Sequence, residues 1–422
     1  MTFSLQRLEA LFANFHILCK ACNQGWIFDI SSVQFRAFPA MRSGRLRPGG
    51  RPTRPDCVQK GGARVMGDAW YDTFMGHGPK RIQHWEHWSN PDAATYITGI
   101  DYYQHPRQCM QKLNQMYPFL SLGVPPTDDP IPRPEEQQDR GKGRWGDSYR
   151  DHWQQEEASR RFPDFESMLK FSPLEQSDFT GWKVVEDGDY SSEEVVYRRY
   201  RARYPAEWGD RAPEGSSASV GFYNTMFMWP LLVFGYQNFL TICLEPEFDR
   251  IMEEFAEINR RVFRAFARLP VNFVICHDDI VLANGPVCSP EWMRRQIFPR
   301  YEEFWGILRK AGKEVIFMVD GCVDAFVDDV MACGARGIIS EPFTNYKAIA
   351  RKYGNCFLAG EGDNRVLMRN DPAEIRRMVE SMVETGRMSG GYMMCIGNHI
   401  PFNCSPEGVK RYFDLSAELG YR

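Results

Sequence analysis

The second half of the chain alternates between amphipathic segments and short, largely apolar runs. Residues 246–270 place apolar side chains at every third or fourth position, a spacing that predicts an amphipathic helix. The run from Val271 to Cys276 is largely apolar, which is typical of a strand buried on both faces of a parallel sheet. It is followed at once by three polar residues, His277, Asp278 and Asp279. The pattern therefore predicts a buried strand that ends in residues capable of chemistry.

The same succession of strand and helix continues to the end of the chain. Ser289 and Pro290 should open the next helix, which we expect to kink at Pro299 and to end at Gly312. Four further strands are predicted, each followed by a helix: EVIFMVDG, ARGIISEPF, NCFLAGEGD and SGGYMMCIGN. Strands that alternate with helices form parallel sheets through right-handed crossovers. Five such units favour an α/β fold of the TIM (β/α)8 barrel type, with an open doubly wound sheet as the alternative.

The first half has a weaker pattern. The segment RIQHWEHW, residues 81–88, predicts an early strand, and residues 231–244 predict a helix. Residues 182–204 predict a β-hairpin, because two β-rich arms flank the polar turn from Asp187 to Ser192. The polar stretch from about residue 125 to 165 has nearly balanced charge, and we expect it to be an insertion into the barrel domain.

The composition changes near residue 65. Residues 1–65 contain ten Lys or Arg and three acidic residues, and the tract from Met41 to Arg54 is rich in Arg, Gly and Pro. Such a tract buries too little apolar surface to offset the entropy of ordering, so it predicts disorder. A targeting segment and a non-native extension ahead of a native start at Met66 are the two explanations, and we favour the second. The barrel domain is then expected over residues 66–422.

Composition and missing motifs exclude several classes of protein. A net charge of −4 argues against a nucleic-acid partner, and no apolar run approaches the roughly 20 residues that cross a membrane. The 12 cysteines are scattered through 422 residues without a secretory pattern, which indicates reduced thiols and a cytoplasmic location. No phosphate-binding loop, dinucleotide fingerprint, zinc-protease helix or serine-hydrolase elbow occurs. We therefore expect the partner to be a small-molecule substrate.

The candidate functional residues are polar side chains at strand ends. In a parallel barrel these ends meet at one rim. In chain order they are His277, Asp278, Asp279, Asp320, Glu341, Glu361, Asp363, Asn398 and His399. Carboxylates with one or two histidines could bind a divalent metal or transfer a proton, whereas a strand-end carboxylate can equally cap a helix or pair with Arg. His84, Trp85 and Glu86 could line a pocket for a flat or methylated ligand, with core packing as the alternative.

Several of these motifs, taken in order, resemble the uroporphyrinogen decarboxylase-like superfamily. They are CHDDIVLANGPVCSPEWMRRQIFPRYEEF, VDGCVDAFVDDVMACGARGI, CFLAGEGD and GGYMMCIGNHIPFNCSPEGV. The likeness covers residues 220–422 well and residues 66–120 faintly. It implies a TIM barrel and one of two activities. These are the decarboxylation of a tetrapyrrole and the transfer of methyl groups to thiols, corrinoid proteins or folates.

Two differences from that superfamily bear on the subfamily. True uroporphyrinogen decarboxylases begin with an Arg-bearing segment similar to MRQAGRY, and no such segment follows Met66. Zinc-dependent methyltransferases carry His-x-Cys where this chain has Met318 and Asp320, and a later Cys near Asn398. Met and Asn are poor replacements for imidazole and thiolate, so bound zinc is doubtful.

The chain therefore most resembles members that lack the zinc motif. That resemblance implies a demethylase that moves a methyl group from a small O- or N-methylated substrate to a corrinoid (cobalamin) on a partner protein. Asp320, Glu361 and His399 would be catalytic, and the other rim residues, with His84, Trp85 and Glu86, would bind substrate. The alternatives are a decarboxylase of tetrapyrrole biosynthesis and a non-catalytic ligand-binding barrel.

Overall fold

The computed structural model describes residues 69–133, 161–182 and 184–422. The predicted extension over residues 1–65, the proposed start at Met66 and the central part of the polar insertion lie outside these ranges. The predictions made for them stay predictions. Within the described ranges, no helix is both long and apolar enough to cross a membrane.

The strands alternate with helices, as the hydrophobic pattern predicts. In chain order the strands are β1 (His84–Trp85), β2 (Leu120–Ser121), β3 (Ser219–Phe222), β4 (Phe273–His277), β5 (Val281–Leu282), β6 (Gly285–Pro286), β7 (Glu314–Met318), β8 (Gly337–Ile339), β9 (Phe357–Ala359) and β10 (Gly391–Tyr392). Six of them form one sheet in the order β10-β9-β8-β7-β4-β3, and every pairing in this sheet is parallel. The predicted α/β class with a parallel sheet is therefore confirmed.

Two further parallel strands extend this arrangement at one edge. Strand β1 pairs with β2, and a parallel bridge between His84 and Met394 places β1 beside the segment that follows β10. This gives eight parallel strands in the order β2-β1-β10-β9-β8-β7-β4-β3. In the described residues no backbone pairing joins β2 to β3, so the sheet is not closed. The strand order agrees with a (β/α)8 fold, but a closed barrel is not confirmed over the residues that the structure describes.

The helices lie between the strands. They are α1 (Ala69–Phe74), α2 (Pro91–Thr98), α3 (Pro106–Met116), α4 (Phe165–Lys170), α5 (Glu193–Arg201), α6 (Met228–Phe234), α7 (Tyr236–Ile242), α8 (Glu247–Arg268), α9 (Pro290–Gln296), α10 (Phe298–Lys310), α11 (Val327–Ala332), α12 (Tyr346–Lys352), α13 (Asn364–Arg369), α14 (Pro372–Met388) and α15 (Pro406–Leu419). Pro299 falls in the first turn of α10, directly after a break at Ile297, so the predicted interruption is confirmed.

Helix α8 shows how the apolar stripe builds the core. It packs against α5 and α10, and its predicted core positions are buried: Phe248, Ile251, Phe255, Ile258, Val262 and Phe266. Burying one such side chain stabilises the fold by roughly 1.5–3 kcal/mol. Truncation of Phe255, stacked on Trp229, would add a cavity and cost about 3–5 kcal/mol.

A lysine that directly precedes β7 holds the connection from α8 to β4. Lys313, directly before β7, donates from Nζ to the carbonyl oxygens of Leu269 and Val271 at 2.7 and 2.9 Å. Burial disfavours the charged form and lowers the pKa of Lys313 to about 8. This amine lies at the amino end of β7, opposite the rim where the candidate site lies.

The predicted β-hairpin over residues 182–204 is wrong: the described residues of its first arm form no strand, and its second arm forms helix α5. Ser192 caps that helix by accepting from the Val195 N–H. Glu193 and Glu194 lie in the first turn, and basic residues lie in the last, where each sign of charge suits the helix dipole. Val196 and Tyr200, four residues apart, are both buried. Capping, charge order and an i, i+4 apolar pair outweighed the β propensity of Val and Tyr.

Candidate active site

The polar residues predicted to share a rim follow neighbouring parallel strands. His277 is the last residue of β4, and Asp320 and Glu341 lie two residues beyond β7 and β8. Strands β4, β7 and β8 are adjacent in the sheet, so their carboxyl ends point the same way. His277, Asp279 and Asp320 meet there, and one ligand-type atom of each lies within 4.8 Å of the others. We call these three residues the rim cluster.

Asp279 is the centre of the rim cluster. Its Oδ1 atom lies 2.8 Å from Nε2 of His277 and accepts the backbone N–H of Asp320 at 3.0 Å. Its Oδ2 atom accepts the hydroxyl of Tyr223 at 3.0 Å, and the Tyr223 ring packs 4.1 Å from the ring of His277. The carboxylate thus ties together the ends of β3, β4 and β7.

Asn398 connects the rim cluster to a histidine. Its Nδ2 donates to Oδ2 of Asp320 at 3.3 Å, and its Oδ1 lies 2.9 Å from Nδ1 of His399. An amide oxygen only accepts, so Nδ1 of His399 carries the proton and Nε2 carries the lone pair. Asn398 has a φ of 70°, a left-handed conformation that Asn tolerates better than most residues. The local backbone therefore aims the amide between an acid and an imidazole.

Glu341 is a second acid beside Asp320. It hydrogen-bonds to the Asn398 side chain and to the backbone N–H of Gly321. Gly321 has a φ of 113°, and a Cβ added there would lie 2.6 Å from the carbonyl carbon of Leu282. Only glycine fits this turn, which brings the Asp320 loop against the β5–β6 pair.

Burial and mutual repulsion set the protonation of these groups. Burial, with the charges of Asp279 and Glu341, raises the pKa of Asp320 well above its usual range. Burial, reinforced by the charge of Asp279, raises the pKa of Glu341 to about 7. Burial, with a smaller contribution from His87, lowers the pKa of His399 to about 3. Near pH 7 the site therefore holds a neutral imidazole beside carboxyl groups that can still carry protons.

Asp278, one residue from Asp279, points away from the rim cluster. Its carboxylate accepts the backbone N–H groups of Met226, Phe227 and Met228 at 2.7–2.8 Å. It also accepts the hydroxyl of Tyr301 at 2.6 Å. The structure thus places this predicted substrate-binding residue where it holds the start of helix α6.

Glu361 and Asp363, which follow β9, contact neighbouring helices. Oε1 of Glu361 accepts the hydroxyls of Ser381 and Thr385 in α14 at 3.2 and 3.1 Å. Asp363 caps α13 and forms an ion pair with Arg365 at 2.8 Å. No hydrogen bond links either carboxylate to the rim cluster in the described part of the chain. Their predicted roles in catalysis and substrate binding stay predictions.

The predicted pocket residues from β1 form a separate buried network. Oε1 of Glu86 lies 2.6 Å from Nε2 of His84 and accepts the hydroxyl of Tyr412 at 2.7 Å. Oε2 accepts the backbone N–H of Ile396 at 3.0 Å, which ties β1 to the loop after β10. Trp85 is half-buried and its backbone N–H donates to Met394. These contacts fit a role in supporting the loop that carries Asn398 and His399.

Two residues near the site are absent from the candidates that the sequence suggests. Tyr223 directly follows β3 and donates to Asp279, so the strand-end rule finds it only if β3 is recognised as a strand. The ring of His87 lies 5.7 Å from that of His399 and belongs to the QHWEHW segment, in which the sequence pointed only to His84, Trp85 and Glu86.

Two of the three positions that correspond to the superfamily zinc ligands come together, and all three supply the wrong atoms. Asp320 and Asn398 are in hydrogen-bond contact, and Met318 is buried at the end of β7. They offer a thioether, a carboxylate and an amide, not the imidazole and thiolates of a thiol-activating zinc site. No cysteine belongs to a metal-ligating group within the residues that the structure describes. These residues do not fit that zinc site.

A family model supports the class of protein that the fold and site define. Residues 221–419 match the model for uroporphyrinogen decarboxylase (URO-D). The matched region runs from β3 to the last residue of α15 and contains the rim cluster, Glu341, Asn398 and His399. Over this region the predicted resemblance to the uroporphyrinogen decarboxylase-like superfamily is confirmed. The match supports an enzyme of the uroporphyrinogen decarboxylase-like kind.

One solved structure resembles most of the chain. It is a methyltransferase from Methanosarcina mazei, 12% identical, and the alignment covers 83% of this chain and 97% of that one with a TM-score of 0.48. No curated protein matches the sequence significantly.

Proposed function

We propose that this chain is a methyltransferase that removes a methyl group from a small O- or N-methylated compound and passes it to a corrinoid protein. The observation that carries the proposal is the arrangement of Asp320, Glu341, Asn398 and His399 around one end of the parallel sheet. When the methyl group is transferred, the oxygen or nitrogen that carried it is left as an alkoxide or a deprotonated amine. Both are poor leaving groups and must be stabilised or protonated during the transfer. Acids within reach of one another serve that need.

The roles follow from position. Asp320 would orient and activate the heteroatom that loses the methyl group, and Glu341 beside it would deliver a proton. His399 is neutral and bound through Nδ1 to Asn398, so it would orient the substrate through Nε2 as an acceptor. The balanced reaction takes a methylated substrate, cob(I)alamin and one proton to methylcob(III)alamin and the demethylated product.

The arginines of the early chain favour methyl transfer over decarboxylation of an acidic tetrapyrrole. Arg81 donates to the carbonyl oxygens of Ala417 and Ser416. Arg107 hydrogen-bonds to the Pro126 carbonyl, and Arg133 pairs with Asp101. In residues 69–133, therefore, each of the three arginines is held by other groups of the protein. A porphyrinogen decarboxylase needs such cations for the substrate carboxylates, and decarboxylation is the second candidate.

The test is single-turnover methyl transfer. Purified full-length protein, with free cob(I)alamin and a panel of methoxylated aromatics and methylated amines, should produce the methylcob(III)alamin spectrum with at least one donor. Asp320→Asn should lower that rate by about 100-fold or more, because it removes a group acting on the reacting heteroatom. Asp329→Asn alters a half-buried carboxylate that is paired with Arg294 away from the rim cluster; it is the matched control and should leave the rate unchanged.

Two results would overturn the proposal. Release of CO₂ from uroporphyrinogen without any methyl transfer would assign decarboxylation instead. Binding of a panel compound without turnover, with an affinity that is the same in Asp320→Asn and Glu361→Gln, would assign a non-catalytic ligand-binding role.

A further inference from the structure

The rim cluster has the composition and spacing of a metal site. His277, Asp279 and Asp320 offer one imidazole nitrogen and two carboxylate oxygens, each within 4.8 Å of the other two. It is the one group of three or more His, Cys, Asp or Glu side chains with this spacing in the described residues. Two ligands that each lie about 2.0–2.2 Å from a zinc ion are separated by up to about 4.4 Å, so small side-chain rotations would bring the three atoms onto one cation.

The charge balance of the site points the same way. Asp279, Asp320 and Glu341 place three carboxyl groups in close electrostatic contact. Neither Asp320 nor Glu341 forms an ion pair with Lys or Arg among the described residues, and Arg365, whose charge acts on Glu341, is paired with Asp363. Carboxylates that leave water are normally paired with a cation or coordinate a metal. A bound divalent cation would supply the missing positive charge.

The contacts around the rim cluster suit ligands held for coordination. The Tyr223 hydroxyl binds Oδ2 of Asp279, and the Asn398 amide binds Oδ2 of Asp320. Such outer hydrogen bonds orient carboxylate ligands. Oδ1 of Asp279 also accepts the backbone N–H of Asp320 and keeps a second lone pair that can face a metal. Nε2 of His277 and Oδ1 of Asp279 are 2.8 Å apart across one shared proton, and a cation placed there would displace that proton.

We propose that His277, Asp279 and Asp320 bind one divalent cation of the zinc, manganese or iron type. An imidazole beside two carboxylates selects these first-row metals over Mg²⁺ and Ca²⁺, which prefer ligand sets made of oxygen alone. This ligand set draws on the ends of β4 and β7 and contains no sulfur. The inference goes beyond the proposed function, because binding of the metal can be measured whether or not methyl transfer is observed.

The test uses metal-stripped full-length protein titrated with Co²⁺, Mn²⁺ and Mg²⁺. We expect one Co²⁺ or Mn²⁺ to bind per chain, and Mg²⁺ to bind much more weakly. Co²⁺ binding is measured by visible absorption, and Mn²⁺ binding by loss of the electron paramagnetic resonance signal of free Mn²⁺. Asp279→Asn, Asp320→Asn and His277→Gln should each weaken binding at least tenfold. The Asp329→Asn control should bind as the unmodified protein does. Co²⁺ should raise the melting temperature of the control and leave that of Asp320→Asn unchanged.

The cobalt spectrum separates this site from a cysteine site. Absence of a thiolate-to-cobalt charge-transfer band supports the proposal, and its presence would overturn it. So would binding of much less than one metal per chain, or equal affinity in all variants. Asp320→Asn is the decisive variant, because it removes a carboxyl group already crowded by Asp279 and Glu341 and should fold. A normal circular dichroism spectrum and melting temperature for this variant tie lost binding to the ligand.

Discussion

Asp278 and Asp279 are adjacent acids at the end of the same strand, yet they belong to two different regions. Asp278 lies in a closed region where three backbone N–H groups and the hydroxyl of Tyr301 satisfy its oxygens. Asp279 lies in the rim cluster, where its neighbours are an imidazole, a phenol and another acid. The first region is built from groups that donate to a carboxylate permanently. The second contains groups that can exchange a proton, and this chemical difference distinguishes a structural acid from one for which we propose a functional role.

The largest expected effect is on stability in the closed region. Asp278→Ala would leave three backbone donors of the start of α6 without an acceptor, at about 1–3 kcal/mol for each buried unsatisfied group. We expect a loss of about 3–5 kcal/mol in the free energy of unfolding, because the costs are not fully additive. Urea denaturation should show it as a lower midpoint.

Asp279→Ala is the matched control for that change. It leaves Tyr223, His277 and the Asp320 N–H without this acceptor, but it also removes a charge that repels Asp320 and Glu341, so the loss in stability should be smaller than for Asp278→Ala. Equal losses for the two variants would contradict the division into a structural and a functional acid.

Two tyrosine variants compare the hydroxyl group that binds Asp278 with the one that binds Asp279, and their expected effects on stability are smaller. Tyr301→Phe removes a buried hydroxyl bonded to Asp278 and should cost about 1–2 kcal/mol in unfolding free energy. Tyr223→Phe removes the hydroxyl on Asp279 and should change stability less, while it weakens Co²⁺ binding about tenfold. The comparison fails if Tyr223→Phe destabilises more than Tyr301→Phe.

The smallest predicted effect is the pH dependence of stability. Folded Glu341 keeps its proton up to a pKa of about 7, whereas an ordinary Glu loses it near 4.5. The folded chain therefore binds more protons between these values, and stability contributed by this group is lost as pH rises from about 4.5 to about 7. Glu341→Gln should remove about 1 kcal/mol of that fall, measured as urea midpoints from pH 4.5 to 8 in metal-free protein.

Asp278 should also contribute to the fall in stability with rising pH. Burial raises its pKa to about 7 as well, so part of the decline should persist in Glu341→Gln. An unchanged decline in that variant would show that Glu341 does not hold its proton in the folded chain.

Much of the rim could be predicted because the end of a buried strand is visible in the sequence. The apolar runs of β4, β7 and β8 are recognisable from their residues alone, and polar side chains follow each of them: His277, Asp279, Asp320 and Glu341. Tyr223 was missed because β3 has only four residues and includes a glycine, so it lacks a clear apolar run.

The direction of each side chain could not be predicted in the same way. Asp278 and Asp279 have the same sequence signal, and only the position of residues 226–228 and of Tyr301 separates them. Glu361 follows its strand at the same distance as Glu341, but the hydroxyls of Ser381 and Thr385 bind it. These partners lie 20 or more positions away in the chain, so the choice is made by tertiary packing.

Chemical labelling of Lys313 can measure how often the sheet opens at the amino end of β7. Its amine is buried against two carbonyl oxygens, which shield it from reagents while the sheet is closed. An acylating reagent can reach it only when the amino end of β7 separates from the α8–β4 connection. The rate of labelling at this one residue therefore counts opening events of the central sheet, without a spectroscopic tag and without an assay for the reaction.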